Sequence, residues 1–312
     1  MTAPAALSVG LFGKIPTQGD FVRVNGASPL LLAFDQWLQE GLESMRRADV
    51  ALPAQPAGVL FRAAGLREVL AGVIVPSVDS VGRIFPLTAF ALFDGAAIAE
   101  HYALVPVACA RFLASAAQLL GEAATLTSGE LTARLTTLPL PGAHDFSAAD
   151  ELVRSTLNAQ LAADLQQRLF PAPPEGRCHY AFRTFLSACE PARGQAAQRP
   201  GVTLDCPVGC DLDRVVWLEL ARRLLRWHDA PPTMLWTDGL APRLLLSLGP
   251  APSMMLHYYA QPSHGSAKLW PVATDRPEAA EQARRALRAT HLEAIDATGL
   301  SLNALLTALS GA

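Results

Sequence analysis

The chain has 312 residues, 51% of them hydrophobic, which is enough to bury the core of one large domain or of two ordinary ones. Its net charge is −3, and its 25 basic residues are scattered among acidic ones, which argues against a nucleic-acid-binding protein. The sequence has no run of 18 apolar residues and no basic, apolar leader, so we expect a cytoplasmic protein without membrane insertion.

The first predicted elements surround two loops rich in Gly, Pro and charged residues. A short β-type run over residues 7–12 leads into the loop 13–21. Ser28 and Pro29 then begin a helix, predicted to end at Arg46 and Arg47, because serine is a favourable N-cap and proline is tolerated at the first helical position. Residues 58–63, 68–75 and 83–93 form a predicted meander of three strands, and the second loop, 76–83, lies within it.

The rest of the chain alternates helices with short strands. We predict a helix from Pro106 to about Gly121, a short one near Ser128, and a third that begins at Ser147 to Asp150. The third helix is predicted to run to residue 170, before a Pro-rich break at 171–176. Two later strands, 233–237 and 243–248, follow a strand at 201–206 and a helix capped by Asp211. From residue 262 the predicted content is mostly helical.

Strands and helices therefore intermingle, which predicts an α/β protein with a mixed sheet covered by helices on both faces, a three-layer α/β/α sandwich. We expect a main domain over residues 1–262, with a possible internal boundary near 190–200, and a helical extension over 263–312. Three short strands beyond residue 200 could hardly complete a sheet of their own, so one continuous sheet is favoured.

No residue pattern indicates catalysis or a cofactor. The glycines around Lys14 lack phosphate-loop spacing, and the five cysteines, with His179 and His228, fit buried thiols better than a zinc site. Asp20 and Asp79 could form an acid–base pair on one rim of the sheet with Lys14 and Arg83. The alternative is that each aspartate accepts backbone N–H bonds in its own turn or pairs with a nearby arginine.

Three segments carry a resemblance to a known family. Residues 13–21, 34–41 and 76–87, read as GKIPTQGDF, FDQWLQEG and PSVDSVGRIFPL, resemble the signature segments of the TagF (ImpM) family of type VI secretion accessory proteins. Residues 234–237 and 244–248 are similar to later strands of that family.

This resemblance implies a regulatory protein without catalysis, cofactor or small-molecule substrate. TagF-like proteins are cytoplasmic repressors from Gram-negative bacteria that act after translation, by engaging a scaffold protein with a forkhead-associated domain. The resemblance implies a protein-binding surface made by Lys14, Pro16, Gln18, Gly19, Asp20, Phe21, Ser77, Asp79, Gly82 and Arg83. It assigns structural roles to Gly13, Asp35, Trp37, Phe85, Pro86 and Trp236. Gln18 is a departure, since the family often has Arg there.

Two other functions remain open at this point. One is a hydrolase, or an enzyme linked to a phosphatase, that uses Asp20 and Asp79. The other is an assembly factor that contacts its partners through residues 263–312.

Overall fold

The computed structural model describes residues 4–171, 176–239, 242–262 and 265–311. Its strands are β1 Ser8–Gly13, β2 Val22–Val24, β3 Ala57–Arg62, β4 Glu68–Val75, β5 Leu87–Asp94, β6 Thr203–Pro207, β7 Thr233–Thr237, β8 Arg243–Ser247 and β9 Leu269–Pro271. Its α-helices are α1 Pro29–Arg47, α2 Gly95–Ala99, α3 Val105–Ala108, α4 Ala110–Gly121, α5 Ser128–Leu135, α6 Ala143–Ala159, α7 Ala162–Leu169, α8 Arg177–Cys189, α9 Asp211–Leu225, α10 Met255–Ala260, α11 Pro277–Ala286, α12 Ala289–Asp296 and α13 Leu302–Ser310. Short 3₁₀ helices lie at Tyr102–Leu104 and Glu190–Ala192.

All nine strands form one sheet in the order β2-β1-β5-β4-β3-β7-β8-β6-β9. Neighbouring strands are antiparallel except β6 and β9, so the sheet is mixed. One core contains the buried side chains of α1 and α10, and the other those of α4, α6, α9 and α13, each packed against the sheet. The predicted α/β fold and the single continuous sheet are confirmed.

Helix α1 follows its sequence signals closely. Ser28 has extended backbone angles, its hydroxyl accepts a hydrogen bond from the Leu31 amide, and Pro29 occupies the first helical position. The predicted apolar stripe faces the sheet, with Phe34 and Trp37 buried. The Trp37 indole donates to the Pro252 carbonyl at 2.8 Å, which fixes α1 to the segment before α10.

The meander of β3, β4 and β5 is also confirmed, but its third strand begins at Leu87 and not at residue 83. The reason lies in hydrogen bonding. The Arg83 amide donates to the Asp79 carboxylate, and the Phe85 amide donates to the Ser77 carbonyl, so these residues complete the preceding loop.

Two helix predictions were wrong in extent. The predicted helix from Pro106 is divided at Cys109 into α3 and α4. The helix expected at Ser147 begins earlier, because the Asp145 carboxylate accepts from the Gly142 amide, and it ends at Ala159. A bridge between Leu161 and Ser301 then separates α6 from α7.

The last part of the chain contains a strand that the sequence pattern did not indicate. β9 pairs with β6 at one edge of the sheet, while the buried leucines of α13 join the core on the α9 side. The predicted division at residue 262 stays a prediction, and residues 263, 264 and 312 lie outside the described part of the chain.

Asp211 is the first helical residue of α9 and not its cap. Cys210 stands at the N-cap position, and Asp213 in the first turn completes a capping box, because its carboxylate accepts from the Gly209 and Cys210 amides.

Candidate functional site

The two Gly- and Pro-rich loops meet at one end of the sheet. β5 lies between β1 and β4 and is antiparallel to both, so the C-terminal ends of β1 and β4 point to the same edge. We call residues 14–21 the first loop, residues 76–86 the second loop, and both together the corner surface. The sequence predicted these loops on a shared rim, and the structure brings them into direct contact.

Asp79 joins the two loops. Its carboxylate accepts from Lys14 Nζ at 2.6 Å and from Arg83 Nε at 2.6 Å. It also accepts from the backbone amides of Val81 at 3.1 Å and Arg83 at 2.8 Å. Lys14 is only 6% exposed and Asp79 only 3%, so this ion pair is shielded from water. Asp79 therefore holds the loops together.

These contacts also fix the charge of Asp79. Removal from water raises the pKa of its carboxyl group, but the hydrogen bonds from Lys14, Arg83 and the Val81 amide outweigh that effect and lower the pKa below its ordinary value. A carboxylate that accepts four hydrogen bonds has no free position for a substrate proton. This geometry fits the alternative in which Asp79 accepts backbone hydrogen bonds and pairs with a nearby basic residue, and it does not fit an acid–base role.

Further hydrogen bonds fasten the loops to each other. The Ser80 amide donates to the Gln18 carbonyl at 3.2 Å, and Arg83 Nη2 donates to the Gly19 carbonyl. Thr17 Oγ1 donates to the Leu126 carbonyl at 2.9 Å, which connects the first loop to the residues before α5. The corner surface is thus held by bonds both between its loops and to the rest of the fold.

Glycine is required where β1 enters the first loop. Gly13 has φ +139°, a conformation that other residues rarely adopt, and a Cβ atom there would lie 2.1 Å from the Pro86 carbonyl oxygen. Gly82 has φ +83° and lies in open space, within a turn closed by its amide and the Asp79 carbonyl at 3.0 Å. Gly13 and Pro86 therefore determine the backbone conformation where the two loops meet.

Aromatic rings fill the space beneath the loops. Phe21 lies 4.8 Å from Phe85 and 5.6 Å from Phe12 between ring centroids, and Lys14 Nζ lies 5.2 Å from the Phe21 ring centre. Phe21, predicted as a contact residue, is half-buried in this cluster. Phe85 is buried in it, consistent with a structural role.

The other predicted structural residues lie in the sheet or on α1. Trp236 is buried with its indole against Gly58, where a Cβ atom would lie 2.1 Å from the ring. Asp35 accepts from the Gln39 amide group and lies 3.7 Å from Arg23. None of these contacts reaches the two loops, so these residues shape the scaffold.

The exposed side chains of the second loop include three that sequence reasoning passed over. Val81 is 68% exposed, Ile84 71% and Val78 41%, and these are three of the eight large apolar side chains exposed among the described residues. Among the predicted contact residues, Asp20, Gly82 and Arg83 are exposed, while Pro16, Gln18, Gly19 and Ser77 are half-buried. A signal for Val78 and Val81 was present, since they stand in a turn-forming loop where no helical or strand period directs them inward, whereas Ile84 falls within the predicted strand 83–93.

A groove of about 960 Å³ runs beside the second loop. Val78 and Ile84 form part of its wall, and Leu42, Val50 and Leu120 form apolar parts of its lining. Two of the three exposed apolar loop residues, Val78 and Ile84, are therefore continuous with an apolar depression.

Residues considered for a metal site have other partners. His179 Nε2 lies 2.7 Å from Asp296, and His228 Nδ1 lies 2.8 Å from Glu100. Cys206 is buried, whereas Cys210 is exposed, contrary to the expectation of buried thiols. Over residues 4–171, 176–239, 242–262 and 265–311, no group of three or more His, Cys, Asp or Glu side chains could hold a metal ion.

No single helix in the described residues is long and apolar enough to cross a membrane. The neighbouring helices Tyr102–Ala108 and Ala110–Gly121, bent by 59°, pass that test together by length and composition.

Comparison with family models identifies the part of the chain that carries the corner surface. Residues 10–138 match the TagF N-terminal domain, described as type VI secretion system-associated. These residues belong to the TagF family. The resemblance carried by the three signature segments is thereby confirmed, because all three lie within the TagF domain. The likeness of residues 234–248 to later family strands lies outside the match and stays a prediction.

Two further comparisons were made. A crystal structure of PA0076 from Pseudomonas aeruginosa PAO1, at 2.05 Å resolution, is similar to this chain with 20% sequence identity and a TM-score of 0.47. The likeness covers 85% of this chain and 99% of that chain. Comparison with curated proteins found no match.

Proposed function

We propose that this protein is a cytoplasmic, non-catalytic repressor of type VI secretion that acts after translation. In this proposal it binds the scaffold protein with a forkhead-associated domain through the corner surface and keeps that scaffold out of the secretion machine. Support comes from the TagF domain, whose description gives the association with type VI secretion, and from the position of two of the three signature segments, 13–21 and 76–87, at the corner surface.

The observation that carries the proposal is the contrast between buried ions and exposed apolar side chains on one surface. Lys14 and Asp79 are buried and paired, while Val81 and Ile84 on the same surface are exposed. Exposed apolar residues on a fixed loop favour protein binding, because the loop loses little conformational freedom when a partner docks.

The proposal divides the signature residues into two groups. Lys14, Asp79 and Gly13 position the loops, and the side chains of Asp20 and Arg83 join Val81 and Ile84 in contacting the partner. Gln18 Nε2 donates to the Asp20 carbonyl at 3.2 Å, so its substitution for the more usual arginine removes a positive charge next to this contact group. Partner affinity or choice would change accordingly.

A hydrolase that uses Asp20 and Asp79 receives less support. Asp79 is buried and engaged by Lys14 and Arg83, whereas Asp20 is exposed, so the two carboxylates do not share one open site. A protein-binding role needs no such site.

A secretion assay in the native host tests repression. The chain with Val81→Asp and Ile84→Asp would fail to repress, because two charges would replace the apolar contact. Leu7→Asp is the matched control. Leu7 is also exposed and apolar, but it precedes the far end of β1, about 20 Å from the loops. Full repression by the double variant at equal protein level, or lost repression in Leu7→Asp, would contradict the proposal.

A further inference from the structure

A second cavity, far from the TagF domain in sequence, carries an unusual concentration of positive charge. It has a volume of about 420 Å³. Its lining comes from α8 and the segment after it, from the ends of α9, α11 and α13, and from α12 and the residues just before it. Its charged lining residues are Arg183, Arg193, Arg288 and Glu190, with His291 beside them.

The sign of this charge is opposite to that of the whole protein. Three guanidinium groups and one carboxylate give the lining a net charge of +2 with His291 neutral, while the chain carries −3. Arg288 lies 3.7 Å from Glu190, with both side chains largely exposed, so water screens that pair strongly.

The other two lining arginines have only neutral hydrogen-bond acceptors among the described residues. Arg183 donates to the Ser187 hydroxyl, and Arg193 donates to the Ser310 carbonyl at 3.2 Å. Neither forms an ion pair with any residue in the part of the chain that the structure describes. Most other arginines near α8 and α9 pair with a carboxylate, for example Arg222 and Arg223 with Glu219. The cavity therefore retains unneutralised guanidinium groups.

Apolar side chains complete the lining and narrow the ligand class. Leu224 and Leu309 are buried, and Leu186 and Leu287 are half-buried. Guanidinium groups bind phosphate oxygens with paired hydrogen bonds, and a net charge of +2 matches a dianion better than a single carboxylate. Leucines beside such a site favour an apolar substituent on the anion.

We infer that this cavity binds a small phosphate monoester with an apolar substituent, with Arg183 and Arg193 holding the phosphate group and the leucines contacting the substituent. This site is separate from the corner surface and does not depend on the proposed repressor function.

His291 provides a local reporter. Burial and the charge of Arg288 lower the pKa of its imidazole, and an anion beside it would raise that pKa. Binding would therefore move the NMR titration of His291 to higher pH, a response that a distant binding site would not produce.

The test uses phenyl phosphate as the probe, with inorganic phosphate for comparison. Calorimetry on the full chain would show saturable 1:1 binding of phenyl phosphate, weakened about tenfold by Arg183→Gln and by Arg193→Gln, and unchanged by Arg154→Gln. Arg154 is an exposed arginine on α6 that forms no ion pair among the described residues, and so it controls for net charge. Thermal melts establish that each variant is folded, and Arg193, which is exposed, gives a second variant if Arg183→Gln does not fold.

Any of four results would overturn the inference or the role that it gives to the leucines. The first is no saturable binding of phenyl phosphate up to about 10 mM, a concentration well above the affinity expected from two charge-assisted contacts. The second is equal binding by the Arg183, Arg193 and Arg154 variants, or an unchanged His291 titration. Equal affinity for phenyl phosphate and inorganic phosphate would overturn the role given to the leucines.

Discussion

The buried ion pair at the corner surface fixes the positions of the two loops more than it stabilises the protein. Removing Lys14 and Asp79 from water costs free energy that their mutual attraction only partly offsets, and buried ion pairs are often replaceable by apolar residues without loss of stability. The pair has a single geometry, however, because Asp79 also accepts from two backbone amides. The arrangement therefore fixes which side chains of the second loop face solvent.

Replacement of Lys14 by methionine tests this role. Lys14→Met would keep the apolar stem but leave Asp79 with fewer partners, so the pKa of Asp79 would rise toward its ordinary value. Because the folded-state pKa of Asp79 is depressed, the stability that Lys14 contributes is present above about pH 4 and is lost as pH falls through the folded pKa. Urea unfolding from pH 7 to pH 2 measures this.

The wild-type advantage in unfolding free energy should be constant near neutral pH and shrink in acid. Arg47→Met is the matched control, since Arg47 pairs with Glu43 at the surface and such pairs contribute little. A wild-type advantage over Lys14→Met that stays unchanged from about pH 4 down to about pH 2 would contradict the assigned role of the ion pair.

At the level of single elements, α1 and α10 approach each other across a glycine. A Cβ atom on Gly41 would lie 2.8 Å from Leu256 Cδ1 and 3.1 Å from the Ser253 carbonyl oxygen. The leucine side chain could move, but the backbone oxygen belongs to the segment held by Trp37. Gly41 is thus the place where the second signature segment allows two helices to pack closely.

We predict that Gly41→Ala destabilises the protein. Alanine gains about 1 kcal/mol over glycine in a helix interior. Overpacking a close contact costs about 1–3 kcal/mol, so the net effect should be a loss of up to about 2 kcal/mol. Gly129→Ala in α5 is the control, because nothing lies within 4 Å of its Cβ position, and it should be neutral or stabilising. Equal gains in unfolding free energy for both variants would refute the packing argument.

Sequence patterns predicted the elements that local signals define and missed those that distant contacts define. Ser28, Pro29 and the apolar stripe were enough to predict α1, because a cap and a helical period are both local. The start of β5 was misplaced because hydrogen bonds from Arg83 and Phe85 back to the Asp79 carboxylate and the Ser77 carbonyl close the loop, and no apolar period reveals bonds of this kind. β9 was missed because three residues carry almost no period, and it exists only through its pairing with β6.

The candidate site likewise has features that the sequence predicts and features that it does not. The two loops were identifiable from Gly, Pro and charged residues, and their shared edge follows from the meander. Lys14 and Asp79 were predicted on one rim, but their burial as a direct ion pair across 65 positions was not, because it depends on how the two loops pack against each other. Ile84 was assigned to the predicted strand 83–93, and Val81 was passed over although it stands in the predicted loop 76–83, so their exposure was not recognised.

At the scale of the whole molecule, the C-terminal residues complete the core on the α9 side. The four buried leucines of α13 are Leu302, Leu305, Leu306 and Leu309. Their burial contributes together about 6–12 kcal/mol as an upper estimate. That amount is comparable to the whole stability of a typical protein, about 5–15 kcal/mol.

Deletion of residues 263–312 should therefore abolish cooperative unfolding and not merely remove an interaction site. Thermal melts followed by near- and far-UV circular dichroism measure this directly. A truncated chain that unfolds cooperatively at the wild-type midpoint would instead support the predicted boundary at residue 262 as the end of an independent domain.

The most direct test of the corner surface is co-purification from the native host, with the bound proteins quantified by mass spectrometry. Wild-type protein and Leu7→Asp should recover the forkhead-associated scaffold equally. The double variant Val81→Asp, Ile84→Asp should recover at least about tenfold less, as expected when central apolar contacts are lost. Equal recovery of the scaffold by all three proteins would contradict the account, and so would its absence from all of them.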